Sequence, residues 1–290
     1  MKMRSLGAGT HQLVSAVGLG AMPLSLAGRP SEAEAIRVIH AALDAGVSLI
    51  DTADVYCVDD RETGHNERLI AAALASWPGA RGSVVVATKG GLVRPGGAWV
   101  SRGTPRHLRA ACEASLRALG IECIALYQLH APDDDVPLEE SVGALGELRR
   151  EGKIRHVGLS NVGVAEIQRA RAIVPIVSVQ NRCSVFDRVD LQSGVIELCE
   201  RDGLAYLAYG PVGGSRGKVR VAQEPTLVRL AAARRCSPFQ VALAWLLHRS
   251  PALIPIPGAT RVESALDSSA AAELTLEPGE LAELERAFPG

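Results

Sequence analysis

The sequence predicts a single-domain α/β protein over residues 1–290, a parallel (β/α)8 barrel of the TIM-barrel type. Three observations carry that reading. Short apolar or β-branched runs alternate with longer runs of helical periodicity in eight successive units. The short runs are too apolar to face water on either side, as expected of parallel strands covered by helices. No Pro/Gly/Ser-rich linker divides the 290 residues, a length that one barrel fills.

Taken in order, Val17–Met22 is the first strand. A helix over Ser31–Ala45 follows, with Ser31 as N-cap, Glu34 completing a capping box and Gly46 closing the end. Val47–Thr52 is the second strand, Asn66–Ser76 helical, and Val84–Thr88 the third strand. Helix Thr104–Leu119 stops at Gly120 and leads to strand Cys123–Leu129. Helix Leu138–Glu151, stopped by Gly152, leads to strand Ile154–Leu159, and helix Val164–Ala172 to strand Ile176–Gln180. The last third reads as helix Leu191–Asp202, strand Leu204–Tyr209, helices Thr226–Arg235 and Pro238–His248, strand Leu253–Ile256 and helix Arg261–Ala271. The longest stretches without either pattern, Lys89–Gly103 and Gly210–Pro225, both follow strands. In a barrel such loops lie at the C-terminal face, where chemistry is done.

Composition narrows the function. Hydrophobic residues make up 47% and charged residues 22%, the balance of a globular domain with a sizeable core. Thirty-one basic against thirty-two acidic side chains leave a net charge of −1, which offers no electrostatic footprint for nucleic acid or an anionic membrane. Met1-Lys2-Met3-Arg4 is followed by no apolar targeting segment, so a cytoplasmic protein is expected. The six cysteines show no C-x-x-C spacing and read as reduced thiols. No metal-ligand cluster is evident, so no metal is expected.

Several nucleotide and nucleophile motifs fail on inspection. Gly18-Leu19-Gly20-Ala21-Met22-Pro23 lacks the third glycine of a dinucleotide fingerprint. The glycine run Gly213–Lys218 has the wrong spacing for a phosphate loop, and Gly158-Leu159-Ser160-Asn161-Val162 misses a nucleophile elbow by one residue.

What survives is a set of polar residues delivered by successive strand ends. The second strand ends in Asp51 with Tyr56 five residues on, the third in Lys89, the fourth in His130, the fifth in Ser160-Asn161, the sixth in Gln180 and the seventh in Tyr209. Asp, Tyr, Lys and His converging at one mouth make a proton-transfer device. A lysine ammonium beside Tyr56 is expected to lower the phenol's pKa, Asp51 to hold that lysine charged, and neutral His130 to orient a carbonyl oxygen. Such a site protonates an oxyanion developing on an aldehyde or ketone. No side chain supplies hydride, so a nicotinamide is implied.

The segments Leu49–Tyr56, Gly64-His65-Asn66-Glu67, Ala87-Thr88-Lys89, Leu129-His130, Gly158–Asn161 and Ile254–Gly258 together resemble the aldo-keto reductase superfamily, over about Gly18 to Leu284. The resemblance implies a barrel binding extended NADP(H) at its C-terminal face, with Asp51, Tyr56, Lys89 and His130 as a catalytic tetrad. It implies that Ser160, Asn161 and Gln180 hold the carboxamide and that Tyr209 stacks on the nicotinamide. Gly20, Gly210, Pro211, Gly213, Pro257 and Gly258 complete the expected cofactor site, and Met22, Tyr56, Trp99 and His130 the expected substrate site. Gln240–Glu273 looks most like the bacterial branch that includes pyridoxal reductases. Following Pro257-Gly258, Ser264 stands where many relatives carry an Arg for the 2′-phosphate, and Asp267-Ser268 where they carry Glu-Asn for the adenine. Arg261, at a helix N-terminus, is the expected phosphate reader. The expected cofactor is therefore NADPH, with NADH as the alternative, and the expected partner a small-molecule carbonyl substrate. Two rivals use the same residues: a nucleotide-sensing regulatory subunit, and an aldolase with Lys89 as Schiff base.

Overall fold

A computed structural model describes residues 1–288, without the side chains of residues 215 and 216. Eight parallel strands form the central sheet: β1 (Leu19–Gly20), β2 (Leu49–Asp51), β3 (Val85–Gly90), β4 (Ile124–Leu129), β5 (Ile154–Ser160), β6 (Ile176–Arg182), β7 (Ala205–Tyr209) and β8 (Leu253–Ile256). Each pairs with its neighbour in sequence order. The sheet closes because Gly18 N donates to Pro255 O at 2.9 Å and Gly20 N to Pro257 O at 3.0 Å. A Cβ at position 20 would fall 2.6 Å from Ile256 O, so this seam accepts only glycine.

The helices predicted with caps form as expected. Helix α1 (Glu32–Asp44) starts at Ser31, whose Oγ accepts from Glu34 N at 3.3 Å while Glu34 Oε2 accepts from Ser31 N at 3.0 Å. Further round the barrel come α2 (His65–Ser76), α3 (Pro105–Leu119), α4 (Leu138–Arg150) and α5 (Val164–Arg171). The continuous helix expected over Leu191–Asp202 is instead a single turn, Val189–Gln192, followed by α6 (Val195–Asp202). Gly194, at φ +84°, separates the two. The Gly210–Pro225 stretch, expected to be irregular, contains α7 (Gly214–Gln223), entered through Gly213 at φ +77°. Then come α8 (Pro225–Arg234), α9 (Pro238–Arg249), α10 (Val262–Ala270) and α11 (Pro278–Ala287).

Two short hairpins were not anticipated, because strands of two or three residues are too brief to show a period. Met3–Ser5 pairs with Leu13–Ser15, and Leu92–Val93 with Val100–Ser101 in the loop after β3. Leu6 and Val14, of the first hairpin region, pack with Leu49, Val85, Leu126, Val177, Leu207 and Ile254 inside the barrel. The N-terminal end is thereby plugged with apolar side chains. At the C-terminal end the interior turns polar, with Asp51, Lys89, Gln128 and Gln180 all buried. Gly158 leaves room for that layer, since a Cβ there would lie 2.9 Å from Gln128 Cγ.

Candidate active site

The polar layer is organised around Asp51, the last residue of β2. Lys89 Nζ, from β3, donates to Asp51 Oδ2 at 2.7 Å, to Thr52 O at 2.8 Å and to Tyr56 OH at 2.9 Å. Asp51 Oδ1 accepts from Gln180 Nε2 at 2.7 Å and from Gln128 Nε2 at 3.5 Å. A carboxylate, an ammonium and a phenol thus lie in one hydrogen-bonded line.

The loops are tied down from behind. Thr52 Oγ1 donates to Asn66 Oδ1 at 2.6 Å, and Asn66 Nδ2 donates to Ala21 O and Ser25 Oγ. Thr88 Oγ1 donates to Glu67 Oε1 at 2.6 Å. The start of α2 therefore clamps the residue after Asp51 and the residue before Lys89. This explains in physical terms why Asn66-Glu67 accompanies the two motifs.

His130, at the end of β4, stands edge-on to Tyr56 with ring centroids 5.7 Å apart and planes at 82°. Burial and the charge of Lys89 hold its imidazole well below the usual histidine range, so the ring is neutral at physiological pH. Burial likewise pulls Lys89 down, while Asp51 pulls it back up. Tyr56 corrects the sequence-based expectation. Its phenol is pushed well above its ordinary value, first by burial and then by the negative charge of Asp51. Burial thus leaves Tyr56 neutral, with its phenol proton in place.

Beside His130 lies a second polar group. Asn161, left-handed at φ +59°, donates from Nδ2 to His130 O at 2.8 Å and to Ser160 Oγ at 3.1 Å, and accepts from Tyr209 OH at 2.9 Å. Ser160, Asn161 and Tyr209 form one ledge, with Gly210 (φ +59°), Pro211 and Gly213 continuing into α7. Gln180, grouped with them by resemblance, is buried and directs its amide to Asp51.

Pro257 and Gly258 lie on the closing seam, where a Cβ on Gly258 would meet Pro23 Cγ at 2.7 Å. Gly258 answers first to barrel closure. Arg261 is exposed at the N-cap of α10. Asp267 lies farther along α10 and accepts from Ser237 Oγ and Gln240 Nε2, each at 2.6 Å, so its carboxylate ties α10 to the start of α9. Met22 and Trp99 are exposed, and Trp99 approaches both Tyr56 and His130, with centroids 6.3 Å away in each case.

Sequence reasoning missed Gln128 and Arg94. Gln128 was hidden inside an apolar strand, where a single polar residue within a run was the only signal. Arg94 lay in a stretch without periodicity. Among the described residues no group of three or more His, Cys, Asp or Glu side chains could hold a metal, and no helix is long and apolar enough to cross a membrane.

A closed (β/α)8 barrel with a buried Asp–Lys–Tyr line and a neutral His at its C-terminal mouth is the frame of a class of oxidoreductase. The chain belongs to the aldo/keto reductase family, whose family model matches residues 16–288. Among solved structures it is similar to the glycerol dehydrogenase AKR11B4 from Gluconobacter oxydans, with 28% identity and a TM-score of 0.83 over 98% of this chain and 94% of that one. It is also similar to an aldo/keto reductase from Klebsiella pneumoniae solved with NADP and acetate, with 27% identity and a TM-score of 0.82 over 100% and 96%. The holo form of aldo-keto reductase AKR11C1 from Bacillus halodurans matches at 26% identity and a TM-score of 0.82, over 99% and 96%.

Proposed function

We propose that this protein reduces an aldehyde or ketone to an alcohol with NADPH, and that Tyr56 donates the proton. The observation that carries the reading is the three-way contact of Lys89 Nζ with Asp51, Thr52 O and Tyr56 OH in a buried site. As the phenol proton moves to the carbonyl oxygen, negative charge develops on Tyr56 Oη. An ammonium 2.9 Å away stabilises that charge far more in this dry site than in water. Asp51, held by two glutamine amides, keeps the ammonium in place. Neutral His130 donates one hydrogen bond from its ring N–H to the carbonyl oxygen without competing for the proton.

The mouth fits a reduced nicotinamide nucleotide, which supplies the hydride when bound. Ser160 Oγ and the Asn161 amide suit a carboxamide, and the Tyr209 ring a flat heterocycle. The exposed guanidinium of Arg261, at a helix N-terminus, suits a 2′-phosphate. An aldo-keto reductase from Klebsiella pneumoniae, similar to this chain at 28% identity, is solved in complex with NADPH. If Arg261 reads that phosphate, Arg261→Ala should weaken NADPH about tenfold, the worth of one charge-assisted contact, and leave NADH unaffected. An unchanged NADPH dissociation constant would remove the assignment.

The reaction itself is tested by loss of absorbance at the reduced-nicotinamide band, with NADPH and NADH separately, against pyridoxal, sugar aldehydes, aromatic aldehydes and diketones. Turnover with NADPH is the expected result. Tight nucleotide binding with no turnover across the panel would favour a nucleotide-sensing role instead.

A further inference from the structure

We propose that Arg94 is a specificity-determining positioning residue, acting through Trp99 to favour planar aryl aldehydes over short aliphatic ones. The proposal rests on the carbonyl-reductase reading of the same site. Arg94 lies in the loop after β3, and its backbone O accepts from Asp60 N at 3.1 Å and Gly97 N at 3.0 Å. Its Nη2 donates to Cys57 O at 3.2 Å and Val58 O at 3.1 Å, the two residues that follow Tyr56. The guanidinium carbon lies 3.8 Å from the centroid of the Trp99 ring. One side chain thus fastens the Tyr56 loop, the β3 loop and Trp99 to one another.

The arrangement is costly as a device for stability alone. Arg94 is only 7% exposed, and its Nε and Nη1 are buried with no hydrogen-bond partner. What the guanidinium does hold is an aromatic ring that would otherwise be free to turn, since Trp99 is 47% exposed. Tyr56, His130 and Trp99 meet pairwise at 5.7–6.3 Å, edge to face, around the place where a carbonyl must lie to receive the Tyr56 proton. A flat ring attached to that carbonyl reaches Trp99. A two-carbon aldehyde does not.

Arg94→Lys separates charge from geometry, because lysine keeps the cation but loses the planar stack on Trp99. Benzaldehyde and acetaldehyde are compared by KM and kcat, and benzaldehyde binding to the NADP⁺ complex is measured by calorimetry. The expected result is a benzaldehyde KM and dissociation constant raised about tenfold, an acetaldehyde KM changed less than about twofold, and an unchanged dissociation constant for NADPH. Trp99→Leu should give the same pattern, and the double variant should be no worse than Trp99→Leu alone. Wild-type benzaldehyde binding in Arg94→Lys, equal losses for both aldehydes, or additive effects in the double variant would each overturn the proposal. Arg94→Gln, which keeps a planar group, replaces the lysine variant if that one does not fold. Calorimetry keeps the two readings apart: benzaldehyde bound but never reduced would refute the reductase function, whereas binding indifferent to Arg94 would refute this inference.

Discussion

Tyr56→Phe is expected to lower kcat by about 10³-fold, within the range for loss of a positioned general acid. The dissociation constant for NADPH should barely move. The phenol is 2.9 Å from Lys89 Nζ, and in the proposed mechanism it delivers the proton while that cation steadies the charge left behind. Removing the hydroxyl takes away an interaction made chiefly in the transition state, so kcat and kcat/KM should fall together. The ring itself stays, so its edge contacts with His130 and Trp99 persist. Stopped-flow measurement of NADPH oxidation checks the rate, and fluorescence titration the cofactor affinity. Full turnover in this variant would leave the mechanism without its acid.

Lys89→Met is expected to damage both activity and stability. The methionine fills a similar volume but leaves Asp51 buried without its cation, and breaking a buried pair this way costs about 3–5 kcal/mol. In a chain of this size that corresponds to a melting temperature lower by roughly 10 °C. Turnover should fall at least about 10²-fold, because the charge developing on Tyr56 loses its stabiliser. Adding Asp51→Asn to Lys89→Met should recover most of the melting temperature, since no lone charge is then buried, and recover none of the activity. Calorimetric melting of the single and double variants makes the comparison. Recovery of activity in the double variant would show that the ion pair serves the fold and not the reaction.

Much of this was legible from the chain. Asp51, Lys89 and His130 could be located because each stands at or immediately after the end of an apolar strand, where a barrel delivers side chains to one face. The Ser31–Glu34 box and the Gly120 stop fixed helix ends by local chemistry that needs no tertiary information. Other features depended on contacts that no local pattern records. Helix α7 was hidden by Gly210, Gly213 and Gly214, whose positive φ angles build the turn that launches it. Gly194 breaks a run whose periodicity alone reads as continuous. Gln180 was assigned by resemblance to the cofactor, and only the folded barrel shows its amide on Asp51 at 2.7 Å. The sign of the Tyr56 shift was equally out of reach, because it depends on how completely the barrel mouth excludes water from the phenol.

That sign is also what the account depends on most. The pH profile of kcat/KM for carbonyl reduction by the wild-type protein tests it directly. In the proposed mechanism reduction needs the proton on Tyr56, so its rate is lost only as the pH rises through the phenol's pKa. Burial and Asp51 push that pKa above its ordinary value, and His130 stays neutral throughout. The expected profile is flat from about pH 6 to about pH 9 and falls only beyond the ordinary tyrosine range near 10. A fall with its midpoint near neutrality, absent from the residual activity of Tyr56→Phe, would mean that Lys89 has drawn the proton off Tyr56 and that the loaded-donor account is wrong.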